Sequence, residues 1–161
     1  SLRSPYMEQF GVFSEVDRDE RWRVVSIAYY SVVRLTEVKG GDDAKEARWF
    51  PLDKVPALAF DHNMILHKAI RKMRERMHFE PIGFELLPEK FTLPQLQTLY
   101  EAMLEIHFDR RNFMKKMLNT GILNDLGEKV ETHTNRAPSL YSFNKEMYDR
   151  MKKDGTLKLE F

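Results

Sequence analysis

The chain has 161 residues, which is room for one domain of medium size or for two small ones. Its apolar fraction of 42% is high enough to build folded cores, so an intrinsically disordered protein is excluded. The lack of cysteine excludes a disulfide framework and a thiolate metal site, and it fits a reducing compartment such as the cytoplasm. The net charge of +1 provides no overall basic field, so any affinity for nucleic acid must come from local clusters. The sequence shows no signal peptide and no apolar run of membrane-spanning length, so we expect no membrane association.

The first third of the chain has the pattern of a β-sheet. Tyr6–Phe13 is predicted to be a strand, and Val16–Arg23 is predicted to be a charged loop. Val24–Arg34 is β-branched and aromatic on both faces, which predicts a strand buried in a sheet that is covered on both sides. A shorter strand is predicted at Glu46–Phe50.

A helix is predicted to follow Asp61, which can cap it. Five apolar residues repeat there at helical spacing: Ile65, Ala69, Ile70, Met73 and Met77. The next segment, Phe79–Lys90, has the proline and glycine content of a linker. The chain is therefore predicted to have a first domain over residues 1–78, a linker over 79–90 and a second domain over 91–161.

A second helix is predicted at Leu93–Leu104, where apolar residues form a stripe with a period near 3.6 residues. Thr92 and Gln95 have the spacing of a capping box, and Pro94 is tolerated in a first helical turn.

A third helix is predicted to begin after Asp109, which can cap it, and to end at Asn119 or Thr120. Gly121 is suited to end it, because a left-handed residue after the last turn is least costly for glycine. Glu105–Phe108 separates the two helices by the short turn that is typical of a helix-turn-helix.

The third helix is predicted to have two unlike faces. With Phe113 as the origin and about 100° per residue, the periodicity places Met114, Met117 and Leu118 on an apolar side. The opposite side and its flank carry no carboxylate and consist of Arg111, Asn112, Lys115, Lys116 and Asn119. Such a face suits the DNA major groove, because Asn pairs with adenine, Arg or Lys reaches guanine, and further cations meet phosphates. The alternative is an ordinary amphipathic surface helix.

Separate roles can be predicted for these residues. We assign Asn112 to a base edge, with adenine as the expected base, and Lys116 to guanine or a nearby phosphate. Arg110 and Arg111 lie in the first turn, where the helix N-terminus favours an anion, so we expect them to contact phosphates. Lys115 and Asn119 complete the predicted DNA-contacting set on this helix.

A wing is predicted to follow the helix-turn-helix. Ile122–Asp125 and Ser139–Phe143 have the pattern of a β-pair around the polar loop Gly127–Pro138. Arg136 lies near the tip of this loop and is expected to touch the DNA backbone or the minor groove. Lys145–Lys153 is predicted to be a short helix of mixed charge.

No catalytic or metal site is predicted. His62 and His67 are five residues apart, about 140° around a helix, so they do not share a face. No set of His, Asp and Glu has ligand spacing, and the sequence has no glycine-rich phosphate loop and no G-x-S-x-G elbow. We therefore expect no metal, no cofactor and no catalytic residue in this chain.

On these residues the chain resembles the Nudix-related transcriptional regulators of bacteria, which join an N-terminal Nudix-like effector domain to a C-terminal winged helix. Four segments resemble the second half of a Nudix domain: Tyr6–Phe13, Val16–Val33, Trp49–Pro56 and Ala59–His62. Three segments resemble the linker and the winged helix: Glu80–Ala102, Asp109–Leu118 and Leu140–Phe143. The EPIGF run within them is most similar to the sugar-related members. The resemblance implies an α+β fold, with the C-terminal half of a Nudix-like α/β/α sandwich followed by a winged helix-turn-helix domain.

The chain departs from the family pattern at one point. The Nudix box, which ends in R-E-x-x-E-E-x-G, does not occur in this sequence, and by the resemblance it would lie before Ser1. The metal-binding carboxylates of a Nudix hydrolase are therefore absent from the chain, and we expect a protein that is not an enzyme. We also expect further strands in the native protein, because half of a Nudix sheet would expose strand edges and core.

The effector pocket is predicted at the charged loop Asp17–Arg23, because ligand sites favour loops on a rigid scaffold. Arg21 and Arg23 are predicted to meet phosphate or sugar hydroxyls, with Gln9 and Tyr29 as neighbours. The alternative is a solvated loop whose arginines pair with the acidic residues Asp17, Asp19 and Glu20.

The interpretation is a sequence-specific DNA-binding transcriptional regulator whose Nudix-like domain senses a small sugar or an ADP-ribose-type metabolite. Its expected partners are double-stranded operator DNA, that effector and a second copy of the chain in a homodimer. One alternative is a Nudix hydrolase, an ADP-ribose or nucleotide-sugar pyrophosphatase with an accessory winged-helix domain. Another is a winged helix used only for protein contacts, which the lack of acids on the face of the third helix argues against.

Overall fold

The computed structural model describes residues 7–35, 37–38, 46–131, 137–157 and 159. Its elements are, in chain order, β1 (Met7–Phe13), β2 (Ser26–Ser31), α1 (His62–Met77), β3 (Phe91–Thr92), α2 (Leu93–Leu104), α3 (Arg110–Asn119), β4 (Leu123–Lys129), β5 (Ser139–Phe143) and α4 (Lys145–Asp154). The chain divides into two compact units, Ser1–Lys72 and Met73–Phe161, and the boundary lies within α1. None of the helices in the described part of the chain combines the length and apolar character that a bilayer crossing requires.

The first unit contains an antiparallel pair of strands, β1 and β2, with Gln9 opposite Tyr29 and Val12 opposite Ile27. Side chains alternate between half-buried and exposed along β2, and Ile27 is 58% exposed. The prediction that Val24–Arg34 is buried on both faces is therefore wrong. Its pattern of β-branched and aromatic residues does form a strand, but no other element among the described residues covers the second face of this pair.

The segment Glu46–Phe50 does not form the short strand that its sequence predicts. Arg48 pairs with Glu46 at 2.7 Å, and Trp49 and Phe50 are both exposed. A strand needs a neighbour for its backbone N–H and C=O groups, and no described strand lies beside this segment.

A buried arginine connects the strands of the first unit to α1. Arg18 donates from Nε and Nη2 to the two carboxylate oxygens of Asp61, at 2.9 and 3.0 Å, and from Nη1 to Ser26 Oγ at 2.6 Å. Asp61 immediately precedes α1, as predicted, and its carboxylate is held by this guanidinium, which lowers the pKa of Asp61. The pair fixes the start of α1 against the loop that joins the strands.

The second unit is a winged helix. Its sheet has the order β3-β5-β4, all antiparallel, with Phe91 opposite Tyr141 and Leu123 opposite Phe143. The predicted helix Leu93–Leu104 and the predicted strand Ser139–Phe143 agree with the structure. The core of the unit includes these largest fully buried side chains: Met77, Phe91, Leu96, Tyr100, Phe113, Met117 and Ile122.

The segment predicted to be a linker, residues 79–90, contributes to the packing of the second unit. Ile82, Phe84 and Leu87 are buried, and the Phe84 ring lies 4.5 Å from that of Phe143, between centroids. Gly83 has φ +98°, and a Cβ at this position would lie 3.0 Å from Met103 Sδ. The segment is therefore held against α2 and β5, and the division at residues 78 and 91 stays a prediction.

Two leucines, one buried and one exposed, allow a test of the core of the second unit. Leu96 is fully buried, whereas Leu118 is 47% exposed. We expect Leu96→Ala to lower the free energy of unfolding by about 2–5 kcal/mol, because it leaves a cavity, and Leu118→Ala by less than about 1 kcal/mol. Urea unfolding followed by far-ultraviolet circular dichroism measures both. Equal losses for the two variants would contradict this account of the core.

Candidate nucleic-acid interface

The first helix of the helix-turn-helix starts at a complete capping box. Thr92 Oγ1 accepts from the Gln95 N–H at 3.3 Å, and the Thr92 N–H donates to Gln95 Oε1 at 2.8 Å. Two backbone donors at the start of α2 are thereby satisfied, as the Thr-x-x-Gln spacing predicts.

The turn between α2 and α3 is clamped by two side chains of α2. The Phe108 N–H donates to Glu101 Oε1 at 2.9 Å, and Gln97 Nε2 donates to the Phe108 carbonyl at 3.0 Å. Gln97 Nε2 also donates to Glu101 Oε1 at 3.0 Å. Both backbone polar groups of Phe108 are thus paired, so the path of the chain into α3 is fixed. Sequence reasoning did not find these residues, although two polar side chains four apart on the helix before a short turn are a usable signal.

The start of α3 is fixed a second time by a cap and an aromatic contact. Asp109 Oδ1 accepts from the Asn112 N–H at 2.9 Å, as predicted. The Phe108 ring packs 5.2 Å from the Phe113 ring, between centroids, which is the hydrophobic staple across the N-cap. Phe113 is buried and also packs edge-on against Tyr100 at 5.9 Å. The helix is therefore held both along its axis and in its rotation.

The predicted DNA-contacting residues of α3 lie on its exposed surface. All six are exposed: Arg110, Arg111, Asn112, Lys115, Lys116 and Asn119. Phe113 and Met117 are buried, which sets the rotation of the helix. Leu118, which the periodicity places on the apolar side, is half exposed because it lies about 140° from Phe113 around the helix.

The wing is an extended hairpin. Its first strand runs to Lys129, beyond the predicted end at Asp125, and Gly127 adopts φ +66° while its N–H donates to Asp125 Oδ1. At the side of the wing Lys90 pairs with Glu128 at 2.6 Å. Arg136, the predicted contact of the wing tip, lies outside the described residues.

The predicted effector residues fall into two groups. Tyr29 donates to Gln9 Oε1 at 3.2 Å, so these two are neighbours on the exposed face of the strand pair. Arg21 forms a bidentate pair with Asp19, which lowers the pKa of Asp19 to about 2, and its guanidinium lies 4.7 Å from the Phe60 ring centroid. Arg23 donates to the backbone carbonyls of the same loop. The pairing of Arg21 is the arrangement that the solvated-loop alternative expects.

The clamp on the turn predicts a pH dependence. Hydrogen bonds to the carboxylate, first from the Phe108 N–H and then from Gln97, lower the pKa of Glu101. A carboxyl group whose pKa is lower in the folded than in the unfolded protein stabilises the fold when it is ionised. This stabilisation is fully present above the ordinary Glu pKa of about 4.3, and it is lost as the pH falls below that value. We expect Glu101→Gln to lower the Tm near neutral pH and to approach the wild-type Tm in acid. Thermal unfolding across this pH range measures the difference, and a gap that does not narrow in acid would contradict the role of the carboxylate.

Comparison with known proteins finds one family model and two related proteins. The family model described as NrtR DNA-binding winged helix domain matches residues 83–143. The ADPR responsive transcriptional repressor NtrR of Acinetobacter baylyi is 26% identical over 151 residues, which are 92% of this chain and 60% of that protein. An ADP-ribose pyrophosphatase of Methanocaldococcus jannaschii is 49% identical over 61 residues, 38% of this chain and 36% of that protein. The chain thus spans less than two thirds of either relative.

Two solved structures share the fold. The structure of Shewanella oneidensis NrtR complexed with a 27mer DNA aligns with a TM-score of 0.72 at 23% identity, over 92% of this chain and 68% of that one. A MutT/nudix family protein from Enterococcus faecalis aligns with a TM-score of 0.64 at 27% identity, over 85% of this chain and 61% of that one. The chain is thus similar to Nudix-related transcriptional regulators, and its residues 83–143 match the winged helix domain of NrtR.

Proposed function

We propose that the protein is a sequence-specific regulator of transcription that binds double-stranded DNA through α3 and a small effector through its first unit. The observation that carries the proposal is the exposed face of α3, which presents two amides and four cations and no carboxylate. Asn112 and Lys116 are one helical turn apart on this face, so both can enter one major groove.

The rigidity of the helix supports this use. A reading helix must present its side chains in a fixed orientation, because contacts to base edges depend on geometry more than contacts to phosphates do. The cap at Asp109, the staple between Phe108 and Phe113 and the clamp by Glu101 all act on the first turn of α3. That turn carries Arg110 and Arg111, whose position at a helix N-terminus suits phosphate contact.

One relative favours an ADP-ribose-type effector, and the docking geometry of helix-turn-helix proteins on DNA favours a dimer. The Acinetobacter relative is described as ADPR responsive and as a repressor. A regulator of this kind reads two half-sites through two copies of its recognition helix, about 34–36 Å apart or a multiple of that distance. We therefore propose that two copies of the protein bind one operator, with Gln9, Arg21, Arg23 and Tyr29 as the candidate effector residues of each.

A Nudix hydrolase is the second candidate, because one relative is described as an ADP-ribose pyrophosphatase. Such an enzyme needs carboxylates gathered around divalent metal ions. Within the described ranges no three His, Asp or Glu side chains lie close enough to hold a metal ion. Magnesium-dependent hydrolysis of ADP-ribose, well above that of heat-inactivated protein, would instead favour the enzyme.

The roles of two residues in α3 can be separated by salt. We expect Asn112→Ala to lose about 1–3 kcal/mol on the preferred duplex and to relax the preference at one base pair, with little change in the salt slope. We expect Arg111→Ala to weaken all sequences alike and to lower the salt slope by about one, because it removes a phosphate contact. Fluorescence anisotropy with a selected duplex and its scrambled version, at several salt concentrations, measures both.

The matched control for this pair is Lys153→Ala, which removes an exposed cation from α4 rather than from α3. It should leave affinity and salt slope close to those of the wild type. Unchanged binding of both duplexes by both α3 variants would show that α3 does not read DNA.

The effector residues can be tested by release from DNA. We expect Arg21→Ala and Arg23→Ala to raise the ADP-ribose concentration needed for release from DNA by about tenfold, because each removes a charged hydrogen-bond donor. DNA binding without effector should remain unchanged. Arg48→Ala is the control, since Arg48 and Arg21 both have side chains that are 65% exposed and pair with a nearby carboxylate. If ADP-ribose releases all variants from DNA at the concentration that releases the wild type, the effector binds elsewhere.

A further inference from the structure

We propose that Arg74 is a positioning residue of the helix-turn-helix, and that it links the turn before α3 to the helix that leaves the first unit. The inference rests on the proposed function, because it assigns to α1 a part in the response of DNA binding to effector. Two contacts of the Arg74 guanidinium support the inference. One contact is with the last turn of α2, and the other is with the residue that follows α2.

The first contact is with a backbone carbonyl. Arg74 Nε donates to the carbonyl oxygen of Met103 at 3.0 Å. The last four carbonyls of an α-helix have no partner within the helix, and Met103 is the penultimate residue of α2. The guanidinium supplies a charged donor where the helix dipole is negative, so the contact stabilises the end of α2.

The second contact is with the residue that ends α2. Arg74 Nη2 lies 2.6 Å from Glu105 Oε1, and Glu105 has φ +56°, in the left-handed region. A residue other than glycine is strained in this conformation and is retained where its surroundings hold it. The Arg74 side chain is only 28% exposed, and its planar guanidinium reaches both the Met103 carbonyl and the Glu105 carboxylate. A lysine, with a single ammonium group, cannot reproduce this fork.

These contacts hold one end of the turn, and the clamp on Phe108 holds the other. The turn begins at Glu105 and ends immediately before the N-cap Asp109, so both of its ends are fixed by side chains from helices α1 and α2. The direction in which the chain enters α3 follows from these two anchors. A change at Arg74 would therefore alter the orientation of α3 without altering any residue on its exposed face.

Arg74 also has a particular place along α1. This helix begins at His62 within the first unit, and the boundary between the units falls after Lys72. Arg74 is therefore in the first turn of α1 beyond the boundary, and Met77, three residues later, is fully buried. In this proposal a rotation or shift of α1, which the two units share, reaches the Met103 carbonyl through the guanidinium.

The test uses three variants and one control variant, and its first part needs no DNA. Amide hydrogen exchange of Phe108 reports how often the turn opens, since its N–H donates to Glu101. We expect Arg74→Ala to raise this exchange rate by about three- to tenfold, and Arg74→Lys to restore it only in part. Glu105→Gln should have a smaller effect, because the bond to the Met103 carbonyl remains. Arg150→Ala, which removes an exposed arginine from α4, is the control and should match the wild type.

The second part measures the affinity for a selected duplex with and without ADP-ribose. We expect Arg74→Ala to weaken binding without effector by about three- to tenfold and to reduce the factor by which ADP-ribose changes the affinity. Phe108 exchange equal to that of the wild type in Arg74→Ala would overturn the positioning role. Weaker binding with an unchanged ADP-ribose factor would overturn the link through α1. A wild-type protein that binds no duplex would refute the proposed function, while the exchange rates would still decide the positioning role.

Discussion

The burial of Phe113 is the constraint on which the proposed DNA-reading surface depends. Its ring lies between Tyr100 of α2 and Phe108 of the turn, and it has almost no exposure to solvent. Once Phe113 and Met117 are buried together, the rotation of α3 is set, and residues away from this side, including Asn112 and Lys116, face outward. The exposure of Asn112 and Lys116 is therefore a consequence of apolar packing rather than of any contact that they make themselves.

Polar contacts at the turn before α3 fix the position of the helix, which apolar packing alone leaves partly undefined. Apolar contacts set the rotation of a helix but leave its translation along the axis less well defined, because they are not directional. Directional contacts occur at the cap on Asp109, at the clamp from Gln97 and Glu101, and at the guanidinium of Arg74. Each acts on a backbone group or a side chain at a helix end, where unsatisfied donors and acceptors are concentrated.

Local signals in the sequence predicted the second unit better than the first. Caps and glycine stops act within a few residues, so the bounds of α2 and the cap of α3 agree with the structure. The burial of Val24–Arg34 and the strand at Glu46–Phe50 depend on whether distant elements cover or pair with them, and both predictions were wrong. The clamp from Glu101 was missed because it joins α2 to a backbone group of the turn seven residues later, beyond the reach of cap and glycine signals. The five residues of α3 that the helical pattern places on its polar side and flank are exposed, as predicted, and so is Arg110.

The left-handed glycine before α2 has a consequence for dissecting the protein into fragments. Gly83 is left-handed and so close to Met103 that a Cβ there would lie 3.0 Å from the thioether sulfur, and its neighbours Ile82 and Phe84 are buried. A fragment cut at the start of β3 would therefore keep every element of the helix-turn-helix and wing yet expose a hollow where these side chains had been. Such a fragment would show the loosened, dye-binding character of a partly packed protein. The smallest stable form of the winged helix is thus longer than its secondary-structure pattern suggests.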